Sequence, residues 1–557
     1  MNLHTELPVI LILFSPLLAA IISLTGKLFP PRYSLVPAFL VWLGGSLAAL
    51  AAAFPSIAAG TVLQYSLGGW AEPLGISLEV NGVTWIASLT DVIIASAAWL
   101  CTLRQDKFNA LFYFFFFMAL FSLQGVLCTR DIFNLFVWFE VLSLSSFVLI
   151  SYDRSLTSRL AAIRYLLISS MSILFFLIGV WILYRLFGVL SLKDIAVQAQ
   201  QLNADGIHSH NRPAMGLAIA LITAGILTRA AVVPFHTWLP DAHMAAPYQV
   251  SALLSGFVIK APMLALWRIS AFLDFPLLLE SLIWVGGVCA LWGVIAAMVQ
   301  KDAKKLLGYH SVSQMGYIVA AFGAGGAAGR SAAIFYIIAH ALFKSLLFLT
   351  VGHVTSSLGT RNVYTLRGAA RLFPGTTILF FIAAASISGI PLFAGFAGKI
   401  LVAKSLYGHP AYVLLLLAGI GTAASFIKLS RIFFGKPSAA ALKDPLTVSG
   451  YIGMGLLASG CLLLGLFPHS FHQTILSLIG NTSIHISDVL TGWYSPYNLV
   501  KAGISIGAGF LVSQVLVSKP GRALSLRIRD LSVGLDGSLR LLTAGFILVI
   551  LYGAAFY

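Results

Sequence analysis

Apolar runs of about twenty residues, repeated almost end to end through the 557-residue chain, restrict its possible folds more than any other feature. A bilayer core about 30 Å thick takes roughly 20 helical residues to cross, and in lipid only a helix or a closed barrel satisfies every backbone N–H and C=O. Charged residues make up 9% of the chain and hydrophobic ones 59%, whereas a soluble domain carries about a quarter charged residues. The hydropathy marks about sixteen spans, beginning with 8–25 and ending with 541–556, with a polar loop before Arg212. The expected class is an all-α polytopic membrane protein.

The formal charge of +16 is spread between the apolar runs rather than gathered into one patch, which argues for a lipid bilayer and against nucleic acid as a partner. Loops with Lys27 and Arg32, Arg104 and Lys107, Arg154 and Arg159, Lys301, Lys304 and Lys305, Arg361, Arg367 and Arg371, Lys436 and Lys443, then Arg522, Arg527 and Arg529 alternate with nearly bare ones. The positive-inside rule makes the basic set cytoplasmic, with both termini outside. The seventh-to-eighth loop is the weak point, since it should be cytoplasmic and carries no basic residue. Cys101, Cys128, Cys289 and Cys461 lie far apart with no Cys-x-x-Cys spacing, which reads as core filler rather than zinc or iron–sulfur ligation. The glycine-rich stretch from Gly323 to Gly329 lacks Gly-Lys-Ser/Thr, so no nucleotide site is expected, and no cofactor or metal.

Two spans are broken, one at Pro234 and one at Gly389-Ile390-Pro391, and each break has a cation near it, Arg229 and Lys399. Interrupted helices in corresponding halves point to an internally repeated transporter fold, because unwound backbone at that depth must line a polar cavity. Further ionisable residues fall within spans: Glu140, Arg164, Lys260, His340 and Lys344. Each costs ~2.5–3.5 kcal/mol at the bilayer centre and persists where it faces a partner, water or the bundle interior. His340 and Lys344 are four residues apart and share a helix face, so a proton can pass between them through a water. His353 falls nearly opposite. Burial favours a lysine's neutral form, letting it accept and release a proton, and a carboxylate such as Glu140 modulates that tendency. His236 and His243 flank Asp241 in a spacing that fits no common metal-ligand pattern, and read instead as part of a loop capping the eighth span.

Several stretches then resemble one family: Asp131 to Glu140 (Asp-Ile-Phe-Asn-Leu-Phe-Val-Trp-Phe-Glu), Pro234 to His243 (Pro-Phe-His-Thr-Trp-Leu-Pro-Asp-Ala-His), Ser251 to Lys260, Lys304 to Gly316 with His310 inside it, and His340-Ala-Leu-Phe-Lys344. These resemble the antiporter-like subunits of respiratory complex I, Mrp-type cation/proton antiporters and membrane-bound hydrogenases, over roughly residues 80–435. The resemblance implies a fourteen-helix core with two inverted five-helix repeats, plus about two extra C-terminal spans. It divides the chain into N-terminal helices (1–107), a first repeat (108–270), a second repeat (279–435) and C-terminal helices (448–557) joined by a short basic, amphipathic link at 518–540. It implies a proton path with Glu140 as charged partner, Lys260 as central relay, His340 and Lys344 as the link to the second half, and Lys399 on the exit side. Arg164, His236, Asp241, Lys304, His310 and His353 are supporting candidates. The family usually has lysine where this chain has Arg229. Arginine does not deprotonate in proteins, so either the relay bypasses Arg229 or the first half-channel is modified or silent.

The implied function is a proton-translocating subunit of a hetero-oligomeric complex in a prokaryotic cytoplasmic membrane, without a redox centre of its own, driven by a peripheral redox module of the NADH:quinone or hydrogenase type. The alternative driver is a sodium gradient, as in an Mrp-type antiporter. A cation-coupled part of an uptake complex, a free-standing solute transporter and an inert scaffold are the further readings.

Overall fold

The computed structural model describes residues 3–27, 32–70, 72–103, 105, 108–204, 212–270, 276–436, 447–480 and 492–518, with scattered positions from 537 to 551. The link at 518–540 therefore lies almost wholly outside the described residues, and of the run at 541–556 only 541, 543–547 and 551 are described, all helical. Helices α1 (Leu3–Leu24) and α2 (Arg32–Ala58) lead into a two-stranded antiparallel ribbon, β1 (Leu63–Ser66) and β2 (Ser77–Val80), the one exception to helix among the described elements. Helix α3 (Gly82–Leu100) follows. Then come α4 (Ala110–Cys128), α5 (Ile132–Ile150), α6 (Leu156–Phe187), the amphipathic α7 (Leu192–Ala204), α8 (Arg212–Arg229), the short α9 (Trp238–Ala245), α10 (Tyr248–Leu253) and α11 (Ala261–Ile269). The second half holds α12 (Pro276–Met298), α13 (Ala303–Gly323), α14 (Gly326–Ser357), the single turn α15 (Ala369–Leu372), α16 (Pro374–Ser388), α17 (Ala394–Ser405) and α18 (Tyr412–Ser430). Helices α19 (Val448–Leu466), α20 (Pro468–Leu478) and α21 (Pro496–Val517) close the described chain.

Polar side chains set where many of these helices begin. Asn81, Asn109, Asp131, Ser155, Asp302, Thr447 and Ser495 each accept a hydrogen bond from a first-turn backbone N–H, which satisfies donors that the helix itself leaves unpaired. Among the described residues, 12 helices are long and apolar enough to cross a membrane. Three further expected spans fall short for separate reasons. The span at 213–233 stops as a helix at Arg229, that at 308–325 belongs to α13 with Lys304 and Lys305 in its first turn, and 374–406 is split into α16 and α17.

The order of α4, α5, α6, broken α8/α9 and α10/α11 recurs as α12, α13, α14, broken α16/α17 and α18. The third helix of each set, α6 and α14, has 32 residues. Each set has five members, an odd number, which is the count that an inverted repeat requires. In α14 the most apolar 18-residue window is 100% buried, against 11% in α21, so α14 is the axis of the bundle. Leucines and aromatic residues exposed on α1, α2, α6, α12 and α21 face outward, as lipid-facing surfaces do.

Helices α12 and α13 approach through glycine. A Cβ at Gly316 would lie 2.4 Å from the Ala290 nitrogen, and one at Gly286 would lie 2.4 Å from the Ala320 nitrogen. Gly293 and Gly323, each two helical turns further on, are as tightly enclosed by the Ser313 and Ile283 backbones. Small residues at such contacts let helices pack closely in lipid, where no hydrophobic force drives them together. Gly316→Leu should therefore destabilise the chain by about 3 kcal/mol, the upper end for overpacking, because the obstructing atoms are backbone. A drop in the thermal unfolding midpoint of the detergent-solubilised protein would register this.

Candidate functional site

The second break has a local cause. Gly389 ends α16 in the left-handed region at φ 78°, and a Cβ there would meet Lys399 Cδ at 3.3 Å, so glycine is required for both conformation and space. The chain then turns through Pro391 into α17, and Lys399 donates to the carbonyl of Ile387 at 2.8 Å. At the first break α8 ends at Arg229, and Ala231 takes a positive φ of 54°. His236 and His243 do not sit in a loop, as the sequence suggested, but on a tight turn and on α9. They also diverge: His236 Nε2 accepts from Trp292, whereas the His243 ring stacks on Phe348 at 4.3 Å between centroids.

A third interruption was not expected from the sequence. Between α10 and α11, residues Leu254–Val258 widen into a π-helical turn, a feature common at functional sites because it frees backbone carbonyls. Lys260 lies at its end, fully buried, and donates to the Ser255 carbonyl. No carboxylate among the described residues lies within ion-pair distance of it.

Glu140 on α5 pairs with Arg229 at 2.9 Å, and the guanidinium also donates to the Phe139 carbonyl at 3.0 Å and to Ser143 Oγ at 2.7 Å. Asp241 on α9 is clamped by Arg164 of α6 and by Lys305 of α13 at 2.8 Å, which ties the two repeats together. Lys304 donates to the Ala246 carbonyl. His340 and Lys344 are both fully buried on α14, and Lys344 bonds the Leu307 carbonyl of α13. His353 meets Thr376 of α16 at 3.2 Å, which sets it apart from that pair.

Electrostatic neighbourhood orders these groups. His340 lies within Coulombic range of Lys260 and Lys344, and His310 on α13 within range of both Lys344 and Lys399. Lys428 on α18 is within the same range of His310, whose Nε2 is 2.7 Å from Ser425 Oγ of α18. The ring nitrogens of His243 and His340, and Nδ1 of His310, have no hydrogen-bonding partner in the described protein. Buried polar atoms of this kind are satisfied by water, so the row from Lys260 to Lys399 is suited to hydrated proton transfer.

Two buried groups, Asp91 and Lys428, and the half-buried Arg268 escaped the sequence reading. Asp91 on α3 accepts from Gln124 at 3.0 Å, while its other oxygen has no protein partner. Ile94 packs at Gly256 and Thr84 meets Arg268 at 2.7 Å, so α3 runs antiparallel to the Lys260 segment and Asp91 lies near its level. Lys428 on α18 bonds the Met298 and Gln300 carbonyls at 2.8 and 2.6 Å, and Arg268 bonds the Thr129 carbonyl at 2.7 Å. Asp91 carried the same signal as Glu140, an acid inside an apolar run. The four cysteines are buried and unpaired.

A membrane-embedded bundle with broken helices and a row of buried cations defines an ion-translocating class. Residues 129–427, more than half of the chain, match the NADH:quinone oxidoreductase/Mrp antiporter transmembrane family model. The NADH-quinone oxidoreductase subunit N of Desulforudis audaxviator is 29% identical over 85% of this chain and 98% of its own length. A Na(+)/H(+) antiporter subunit of Alkalihalophilus pseudofirmus is 29% identical over 66% of this chain and 75% of its own. In fold, a chain of the Mrp complex from Dietzia sp. DQ12-45-1b matches with a TM-score of 0.78 at 23% identity, over 90% of this chain and 100% of that one. The chain belongs to this antiporter-like family of membrane subunits.

Proposed function

We propose that this chain carries protons across the membrane along Lys260, His340, Lys344, His310 and Lys399, as a subunit of a larger complex. The observation that supports this reading most strongly is that Lys260, His340, Lys344 and His310 are all fully buried while both ring nitrogens of His340 and Nδ1 of His310 have no partner among the described residues. Each added charge in the row repels the next, so a proton arriving on Lys260 favours release further along. The Glu140–Arg229 pair sets the field at the first half, and Arg229 holds its proton throughout. Moving one charge against 100 mV costs ~2.3 kcal/mol, and nothing in the row supplies that energy, so a partner must.

The partners on this reading are other membrane subunits and a peripheral redox module, in a prokaryotic cytoplasmic membrane with both termini outside. The functional units are 108–270 and 279–435, flanked by 1–107 and 448–557. The likeness to an NADH-quinone oxidoreductase subunit along nearly its whole length favours the redox driver; the likeness to a Na(+)/H(+) antiporter subunit keeps a sodium gradient as the second reading. Gentle purification from native membrane separates the two. Recovery of iron–sulfur or quinone-reactive subunits supports the first, and recovery of small membrane subunits alone supports the second.

A further inference from the structure

The cavity beside Lys399 extends beyond the family-matched residues to the C-terminal helix α21. It encloses about 100 Å³, room for several waters. Tyr317 of α13, Lys399 of α17, Tyr412 of α18, and Asn498 and Lys501 of α21 line it. The Lys399 ammonium stands 5.6 Å from the Tyr317 ring centre, and the Tyr317 hydroxyl is fixed on the Leu415 carbonyl at 2.6 Å. Lys501 donates to the Tyr412 hydroxyl and lies 4.6 Å from the Tyr412 ring centre and 5.7 Å from that of Tyr497. Among the described residues lining the cavity there is no carboxylate. Two ammonium groups therefore share one small cavity without an anion, and aromatic faces hold the second in place.

We propose that Lys501 is a positioning residue for proton release, a fixed positive charge that makes Lys399 hand its proton to water in this cavity. The inference rests on Lys399 being the exit-side residue. In the step, an N–H bond of the Lys399 ammonium breaks and the proton passes to a cavity water, while Lys501 stays held by the Tyr412 hydroxyl and the two aromatic faces. The other titratable groups around Lys399 are His310 and Tyr317 from α13, Tyr412 from α18 and Tyr336 of α14, which packs at Gly398; α16 offers the Ile387 carbonyl. Lys344 and Lys428 share the surroundings of His310 with Lys399 but do not line the cavity, where Lys501 is the second cation among the described residues.

The test measures proton flux against pH in proteoliposomes holding the intact complex. Without the Lys501 charge, Lys399 keeps its proton to higher pH, so in Lys501→Gln the alkaline limb of the profile should move up by about half a pH unit or more. Lys501→Met should give the same shift should the glutamine variant fail to assemble, and Lys501→Arg, which retains the charge, should restore the wild-type limb. An unmoved limb in both neutral variants, or an equal shift in Lys501→Arg, overturns the inference while leaving the path intact. Undiminished flux in Lys399→Gln instead overturns the reading of the path on which the inference rests.

Discussion

Lys260→Ala is expected to lower proton translocation about a hundredfold, the scale of a lost positioned acid or base, while the complex still assembles. The side chain is wholly buried and makes a single hydrogen bond, to the Ser255 carbonyl of the π-helical turn, so its removal leaves no orphaned charge behind. The cavity left by so buried a side chain should cost about 2 kcal/mol, the low end for such truncations, so assembly is measured beside transport. Lys260→Arg makes the sharper comparison. It keeps the charge but cannot release the proton, so it should fail as completely as alanine. A dye reporting internal pH, in vesicles energised by the native driver, checks both variants; an active Lys260→Arg would mean that the position contributes only charge.

Glu140→Gln should produce the second large effect, in stability as well as flux. Arg229 is buried, with its side chain 7% exposed against 35% for Glu140, so losing the carboxylate strands a guanidinium in a poorly solvated site. Breaking a buried pair on one side costs about 3–5 kcal/mol, and the partial exposure of Glu140 puts the value here near ~3 kcal/mol. The bonds from Arg229 to Phe139 and Ser143 offset little, because neither partner is charged. The double variant Glu140→Gln/Arg229→Gln should recover most of the stability but not the flux, and thermal unfolding with a double-mutant cycle separates the two effects. Recovery of transport in the double variant would mean that the pair is structural.

The spans and their order were legible because a helix in lipid advertises itself by length and apolarity alone. Fifteen of about sixteen runs coincide with described helices or broken helices. What the hydropathy could not show was which short or polar segments the bundle shelters. Helix α13 registered only from residue 308, because Lys304 and Lys305 in its first turn hid the start that the bundle shelters, where it meets α12 through glycine contacts. The amphipathic α7 and the ribbon β1–β2 lie between spans, where hydropathy gives no signal. Within the site, proline and glycine announced the breaks near Arg229 and Lys399. The turn at Lys260 is a π-helical widening set by packing, with Ser345 and Ile94 pressed against Gly256. Spacing along α14 linked His340 to Lys344, but only tertiary structure brings His310 of α13 into the neighbourhood of Lys344 and Lys399, since they come from three helices.

The central claim is that these groups work in series, and proton flux in the reconstituted complex tests it most directly when Lys260→Ala, Lys399→Ala and the double variant are compared in sodium-free vesicles. A single path predicts that either substitution alone stops the flux and that the double variant is no worse than either. Partial losses that add, or flux that survives with one of the two lysines gone, would contradict a continuous path from Lys260 to Lys399.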